Sequence, residues 1–193
     1  LDAWMARAAE LCRDHAGSVP DKALHTRHED ASTRDAAEGA WRDAFLRAPY
    51  LRDALVARGI FVETFETAIT WDKFDALHAR VVQAARDAAE TKALVSCRIT
   101  HAYPDGAAPY FTVVAPARAD GELSQWLAVK TAITDAMLAE GGTTTHHHAV
   151  GRDFRPWYEQ QVPTLLRSSL EAVKRQLDPS SILNPGVLLP EAD

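Results

Sequence analysis

Three consecutive histidines, His146-His147-His148, stand inside the chain, with Gly141-Gly142 before them and Gly151 after. Imidazole changes charge near neutral pH, moves protons, and is a common metal ligand. A metal reading is geometrically poor here. The segment TTTHHHAV (143–150) reads as a strand, on which neighbouring side chains point to opposite faces. At most His146 and His148 could then share an ion. No HxxxH or HExxH spacing supports one, so no metal is expected. Two readings remain: a solvated strand end, or a site where imidazoles donate hydrogen bonds and move protons. The flanking glycines allow close backbone approach to a ligand.

Tyr110 and Arg98 fall on a hairpin expected over 93–117. A buried tyrosine is most often core with a satisfied hydroxyl. Arg98 is more telling, because it sits among Leu94, Val95, Cys97 and Ile99. A guanidinium in such company should be paired or should bind an anion. Arg52, beside Asp53 in YLRDALVAR, reads by itself as a solvated helix face. Glu63 and Glu66 are ambiguous, and Asp72 suits a helix N-terminus.

The elements that must position these residues follow from periodicity. Residues 1–16 read as an amphipathic helix, with Gly17 as its stop. Residues 18–33 are polar, contain Pro20 and have no period, as expected of a surface loop. A helical pattern resumes near Asp35 with Trp41, Phe45 and Leu46, is expected to break at Pro49, and continues to Gly59. IFVETFETAI (60–69) is a strand by its β-branched and aromatic content. A long helix follows from Trp71, with Thr70 as a candidate cap. ALVSCRITHAY (93–103) and PYFTVVAPA (109–117) form the hairpin around Pro104-Asp105-Gly106. Gly121 opens a second long helix that Gly141-Gly142 ends, and 143–150 would supply the last strand. After Gly151 come a short helical piece, a helix behind Pro163 and an apolar tail, SILNPGVLLP.

The expected fold is therefore α+β. A ferredoxin-like antiparallel sheet, β-α-β-β-α-β, carries both helices on one face. N-terminal helices precede it, and a C-terminal helix and tail follow. The corresponding parts are 1–59, 60–150 and 151–193.

Composition narrows the function classes. The chain has 193 residues, 47% of them apolar and 25% charged, which excludes a disordered or collagen-like chain. Its net charge of −6, without a basic stripe, argues against nucleic-acid binding. The two cysteines, Cys12 and Cys97, form neither a disulfide framework nor a zinc motif. A reducing cytoplasm is the expected compartment, with peripheral contact to a membrane left open. The chain opens Leu1-Asp2-Ala3-Trp4 inside a helix, as expected of part of something longer.

Taken in order, YLRDAL (50–55), ETFETAITWDK (63–73), SCRIT (96–100), PYF (109–111), AEGGTTTHHHAVG (139–151) and LDPSSILNPGVLLP (177–190) resemble the C-terminal half of FAD-linked oxidases of the vanillyl-alcohol oxidase superfamily. Within it they resemble the alkyldihydroxyacetonephosphate synthases. The resemblance runs from about Ala48 to Pro190. It implies a cap domain over the ring of FAD, an N-terminal FAD-binding domain in the same chain as partner, and a final segment returning to that domain. It also implies exchange of the acyl group of an acyl-dihydroxyacetonephosphate for a fatty alcohol, without net redox change. In that frame Tyr110 matches the proton-accepting tyrosine. Arg52 matches an arginine for the anionic end of the substrate, with Arg98 in a matching strand. His146, His147 and His148 match a histidine run needed for activity, and Asn184 of the tail would meet the cofactor. The LNPG ending departs from the synthase pattern and is shared by flavoenzymes that oxidise 2-hydroxy acids. An FAD-dependent oxidoreductase acting on a hydroxy acid or an alcohol is therefore the alternative within the superfamily. A stand-alone ferredoxin-like module, binding a metal or partner through His146–His148, is the alternative outside it. A homodimer is compatible with either.

Overall fold

In the computed structural model, residues 1–20 and 36–190 are described. Most of the expected 18–33 loop, and the side chains of Trp41 and Phe45, lie outside the described residues. The chain forms two compact units, 1–48 and 49–193. The first contains helix α1 (Asp2–Asp14), on which Ala9 is buried and Trp4 is exposed. Helix α2 (Ala36–Val56) spans the junction and runs through Pro49, where the sequence pattern predicts a break. Proline's fixed φ is itself helical, so the helix loses one N–H bond without having to stop there.

The second unit is built on a four-stranded antiparallel sheet. At its centre lies β4 (Gly106–Pro116). On one side runs β1 (Ile60–Glu66), in a register that sets Phe65 opposite Phe111 and Glu66 opposite Tyr110. The same side resumes as β2 (Ile69–Thr70) after an interruption at Thr67-Ala68. The strand expected over 60–69 is therefore two strands. On the other side lies β3 (Leu94–Ala102), with Arg98 opposite Tyr110 and a bulge between Ile99 and His101.

The two-residue period then divides the sheet. Phe61, Phe65, Phe111, Val113 and Ala115 are buried on one face. They pack with Leu77, Val81 and Ala85 of α3 (Trp71–Ala89), and with Val129, Ile133 and Met137 of α4 (Glu122–Ala139). Both helices thus cover one face, as expected for this fold. Thr70 is the N-cap of α3, but its side chain makes no capping bond; the Trp71 N–H goes to the Asp105 carbonyl, 3.1 Å away. The opposite face carries Val62, Thr64, Glu66, Leu94, Ser96, Arg98, Tyr110, Thr112 and Val114, and Leu94 is 69% exposed.

One expected element differs. Residues 143–150 form a loop, not a strand. Their β-branched threonines suit a strand, but side chains outbid strand pairing for their backbone groups. Gln161, at the end of α5 (Gly151–Gln161), accepts from the Thr144 N–H at 2.9 Å and donates to the Gly142 carbonyl at 2.9 Å.

The last helix, α6 (Thr164–Leu177), has no buried residue, and Pro163 stands just before it as the N-cap. Beyond it the tail is held by its own domain. Asp178 is buried and accepts from the Ile182 and Leu183 N–H groups, each at 3.0 Å, and from Lys174 Nζ. The Lys174 hydrogen bond leads the causes that hold the Asp178 carboxyl below its ordinary pKa, ahead of the Leu183 backbone bond and against desolvation. A depressed carboxylate contributes stability above its unfolded pKa and loses it as pH falls through the folded value. Arg152 and Arg155 donate to the Pro185 and Gly186 carbonyls at 2.8 and 2.7 Å, and Leu189 is buried. Asp178→Ala is expected to speed proteolytic cleavage within 179–190 at neutral pH. Cleavage at the wild-type rate would show that the carboxylate does not anchor the tail.

Candidate active site

Glu66 ends β1, is 1% exposed and points away from the helices. A carboxylate at such a position must be compensated. Thr100 Oγ1, at the β3 bulge, donates to Oε1. The His147 N–H donates to Oε2 at 3.3 Å, and His147 Nδ1 contacts the same oxygen. His146 Nδ1 lies 3.5 Å from Oε2, and His101 Nδ1 lies 4.0 Å from Oε1. Burial, the largest single influence, would raise the Glu66 pKa. The Thr100 and His147 hydrogen bonds and the charges of His147 and His146 outweigh it together, so the carboxyl titrates below its ordinary value.

The histidine loop reaches Glu66 because it fills the interruption between β1 and β2. The Thr143 N–H donates to the Ala68 carbonyl at 3.1 Å, the Ala68 N–H to Thr143 Oγ1 at 2.8 Å, and Thr67 Oγ1 to the Thr143 carbonyl at 2.6 Å. Thr145 Oγ1 donates to the His148 carbonyl at 2.9 Å and tightens the turn.

Tyr110 lies between Glu66 and Arg98 in a single row across three strands. Arg98 Cζ sits 4.5 Å from the centre of the Tyr110 ring. The His147 ring stacks on Tyr110 at 6.3 Å, and His148 meets it edge-on at 5.3 Å. Burial lowers the pKa of His148, and the charge of His147 lowers it further. On the far side of His146, Nε2 is 3.0 Å from the Tyr103 hydroxyl.

Tyr110, Arg98, His146, His147 and His148 therefore converge. Arg52 and Asn184 have no contact with this cluster among the described residues. Arg52 is exposed on α2, and its charge reaches Lys130. Lys130 is buried, 3.9 Å from the Phe154 ring centre and 3.8 Å from Asp153 Oδ2. Asn184 has φ +47° and lines an apolar cavity of about 310 Å³ with Leu177, Leu183 and Val187.

The metal geometry differs from the sequence expectation. Ligand atoms of Glu66, His101, His146 and His147 lie within 4.8 Å of one another, whereas His148 is not among them. Because the loop is not a strand, adjacent histidines can turn to the same carboxylate. Thr100, His101 and Tyr103 were not evident from the sequence. A bulge between Ile99 and His101 sets the facing of His101, and alternation alone predicts no bulge.

The sequence matches the family of FAD linked oxidases, C-terminal domain, over residues 4–188. The chain belongs to that family. Among curated relatives, this FAD-linked oxidase C-terminal domain is 33% identical over 155 residues to an alkyldihydroxyacetonephosphate synthase of Trypanosoma brucei brucei, covering 78% of this chain and 25% of the relative. It is 33% identical over 139 residues to a synthase of the same name from Caenorhabditis elegans, covering 69% and 23%. The domain spans about a quarter of the length of these relatives. A solved alkyldihydroxyacetonephosphate synthase structure superposes with a TM-score of 0.57 at 20% identity, covering 76% of this chain and 24% of that one, a likeness of fold.

Membership in the FAD-linked family makes FAD the cofactor. The structure fits a planar, polar-edged ring system in two respects. The domain's own helices leave one sheet face uncovered, and that face carries Tyr110 and Arg98. Beside it, His146 Nδ1 is buried without a hydrogen bond.

Proposed function

We propose that this domain is the substrate-facing part of an FAD-dependent synthase that exchanges the acyl group of an acyl-dihydroxyacetonephosphate for a fatty alcohol. The observation that carries the reading is the convergence of Tyr110, Arg98 and the three histidines on the uncovered sheet face. The 33% identity to synthases supports it. In this exchange the fatty acid leaves with its carboxylate oxygen, and the alcohol oxygen bonds to the same carbon. The alcohol proton must be taken up, and no electrons are gained or lost overall. Bound FAD would supply electron withdrawal from the substrate carbon.

Each of the chain's own groups has a part in that scheme. Tyr110 takes the proton next to the substrate carbonyl. His147 and His148 pack against the Tyr110 ring and pass the proton on. Arg98 holds negative charge at that ring, and Arg52 meets the phosphate, for which a guanidinium fork is suited. Asn184 faces the cofactor from the tail, and the N-terminal FAD-binding domain closes the uncovered face.

The test uses the full-length flavoprotein under anaerobic conditions, with an acyl-dihydroxyacetonephosphate and a labelled fatty alcohol. Labelled ether product without net bleaching of the flavin is expected. Bleaching by a 2-hydroxy acid or a simple alcohol, with no ether product, would replace this reading with an oxidoreductase.

A further inference from the structure

Resting on that reading for its consequence in turnover, we infer that Glu66 is the positioning residue of the site: it fixes His147 in the Nδ1–H tautomer. Nothing in the reaction scheme above uses Glu66. Its carboxylate is nevertheless the point on which the loop and the sheet converge. The side chain is 1% exposed, so it is not there for solubility. Thr100 Oγ1 donates to Oε1, and the His147 N–H donates to Oε2 at 3.3 Å. With these bonds the carboxylate is an acceptor held in one orientation.

An ionised carboxylate only accepts hydrogen bonds. His147 Nδ1, in contact with Oε2, must therefore carry a proton. In the neutral ring this leaves Nε2 with a lone pair, ready to accept a proton beside Tyr110, on which the ring stacks. His146 is not held in this way: its Nδ1, 3.5 Å from Oε2, makes no hydrogen bond, although its Nε2 lies 3.0 Å from the Tyr103 hydroxyl. A carboxylate that sets the tautomer of a histidine base is a general device for general-base catalysis. Here it is supplied by the last residue of an edge strand to a loop 81 residues further along the chain.

The measurement is 15N NMR of the full-length flavoprotein labelled at histidine, with the imidazole nitrogens assigned through His147→Gln and His146→Gln. In the wild type His147 should carry its proton on Nδ1. A wild-type His147 protonated on Nε2 would overturn the inference without any further variant. Glu66→Gln should move His147 toward the Nε2–H form and lower kcat by roughly 10²–10⁴-fold, with KM for the acyl substrate within about twofold. An unchanged His147 tautomer, or unchanged kcat, would overturn it. A wild-type spectrum that changes on treatment with a chelator would assign the Glu66–His147 contact to a bound cation and overturn it as well. If the His147 tautomer shifts as expected in a protein that makes no ether product, the positioning role stands and the synthase reading falls.

Discussion

Tyr110→Phe in the full-length flavoprotein is expected to lower turnover by roughly 10²–10⁴-fold, the range that one positioned proton-transfer group supplies. Bound flavin and the melting temperature should stay as in the wild type. The substitution keeps the ring, and the ring makes the described side-chain contacts of Tyr110: Arg98 over its face at 4.5 Å, His147 stacked at 6.3 Å and His148 edge-on at 5.3 Å. Only the hydroxyl is lost, and no described hydrogen bond holds it within the domain. Stopped-flow turnover and flavin absorbance read the two parts separately. Turnover near the wild-type rate would remove Tyr110 from the proton pathway. Loss of flavin along with activity would make it a binding residue.

Gly142→Ala should be strongly damaging, because it sets a methyl group at the root of the histidine loop. A Cβ there would lie 2.7 Å from Thr67 Oγ1, 2.9 Å from Leu77 Cδ1 and 3.0 Å from the Met137 carbonyl. Thr67 cannot yield freely, because its hydroxyl donates to the Thr143 carbonyl. The Met137 carbonyl is also fixed, since it accepts the Gly142 N–H at 2.9 Å. Relief must come from the loop moving away from β1, which carries the histidines off Glu66. The expected cost is about 1–3 kcal/mol in a urea unfolding curve, the range for overpacking, together with loss of turnover. Gly141→Ala is the control. There the Cβ would meet only Lys73 Nζ, at 3.3 Å, and the penalty comes from φ +84° instead of from crowding. Its effect should fall on stability with the histidine loop left in place. A Gly142→Ala protein as stable and as active as the wild type would show that the loop has slack.

The sequence carried most of the sheet and little of the network around Glu66. The hairpin and its partner strand could be read from β-branched and aromatic content and from turn residues, and Phe61, Phe65, Phe111 and Val113 are the side chains that those strands bury. The helix from Trp71 announced itself through Leu77, Val81 and Ala85; in the helix after Gly121 the stripe read as Leu123, Trp126, Leu127, Ile133 and Met137 is right for Ile133 and Met137, while Leu123 and Leu127 are exposed and Val129 takes a core place. The histidine run and the Tyr110–Arg98 pair stood out by residue type. What stayed hidden depends on tertiary contact. Glu66 looked like any charged residue on a strand, because its burial is produced by Thr100 and His147, 34 and 81 residues away. The segment 143–150 has strand propensity, yet Gln161 and the gap at Thr67-Ala68 claim its backbone groups. Propensity is a local quantity, and neither competitor is local.

The Thr67-Ala68 interruption has one more effect. Among the described strands β1 pairs only with β4, so its outer rim is an edge, and an open edge is a template on which another chain can add a strand. At the end of β1 the histidine loop occupies those positions: the Ala68 N–H and carbonyl are both taken by Thr143. Because the loop is an irregular turn, it offers no continuous ladder of its own to extend. The bonds that bring His147 to Glu66 thereby also terminate the sheet, and the protein guards this part of its edge against strand addition with the segment that carries its three histidines.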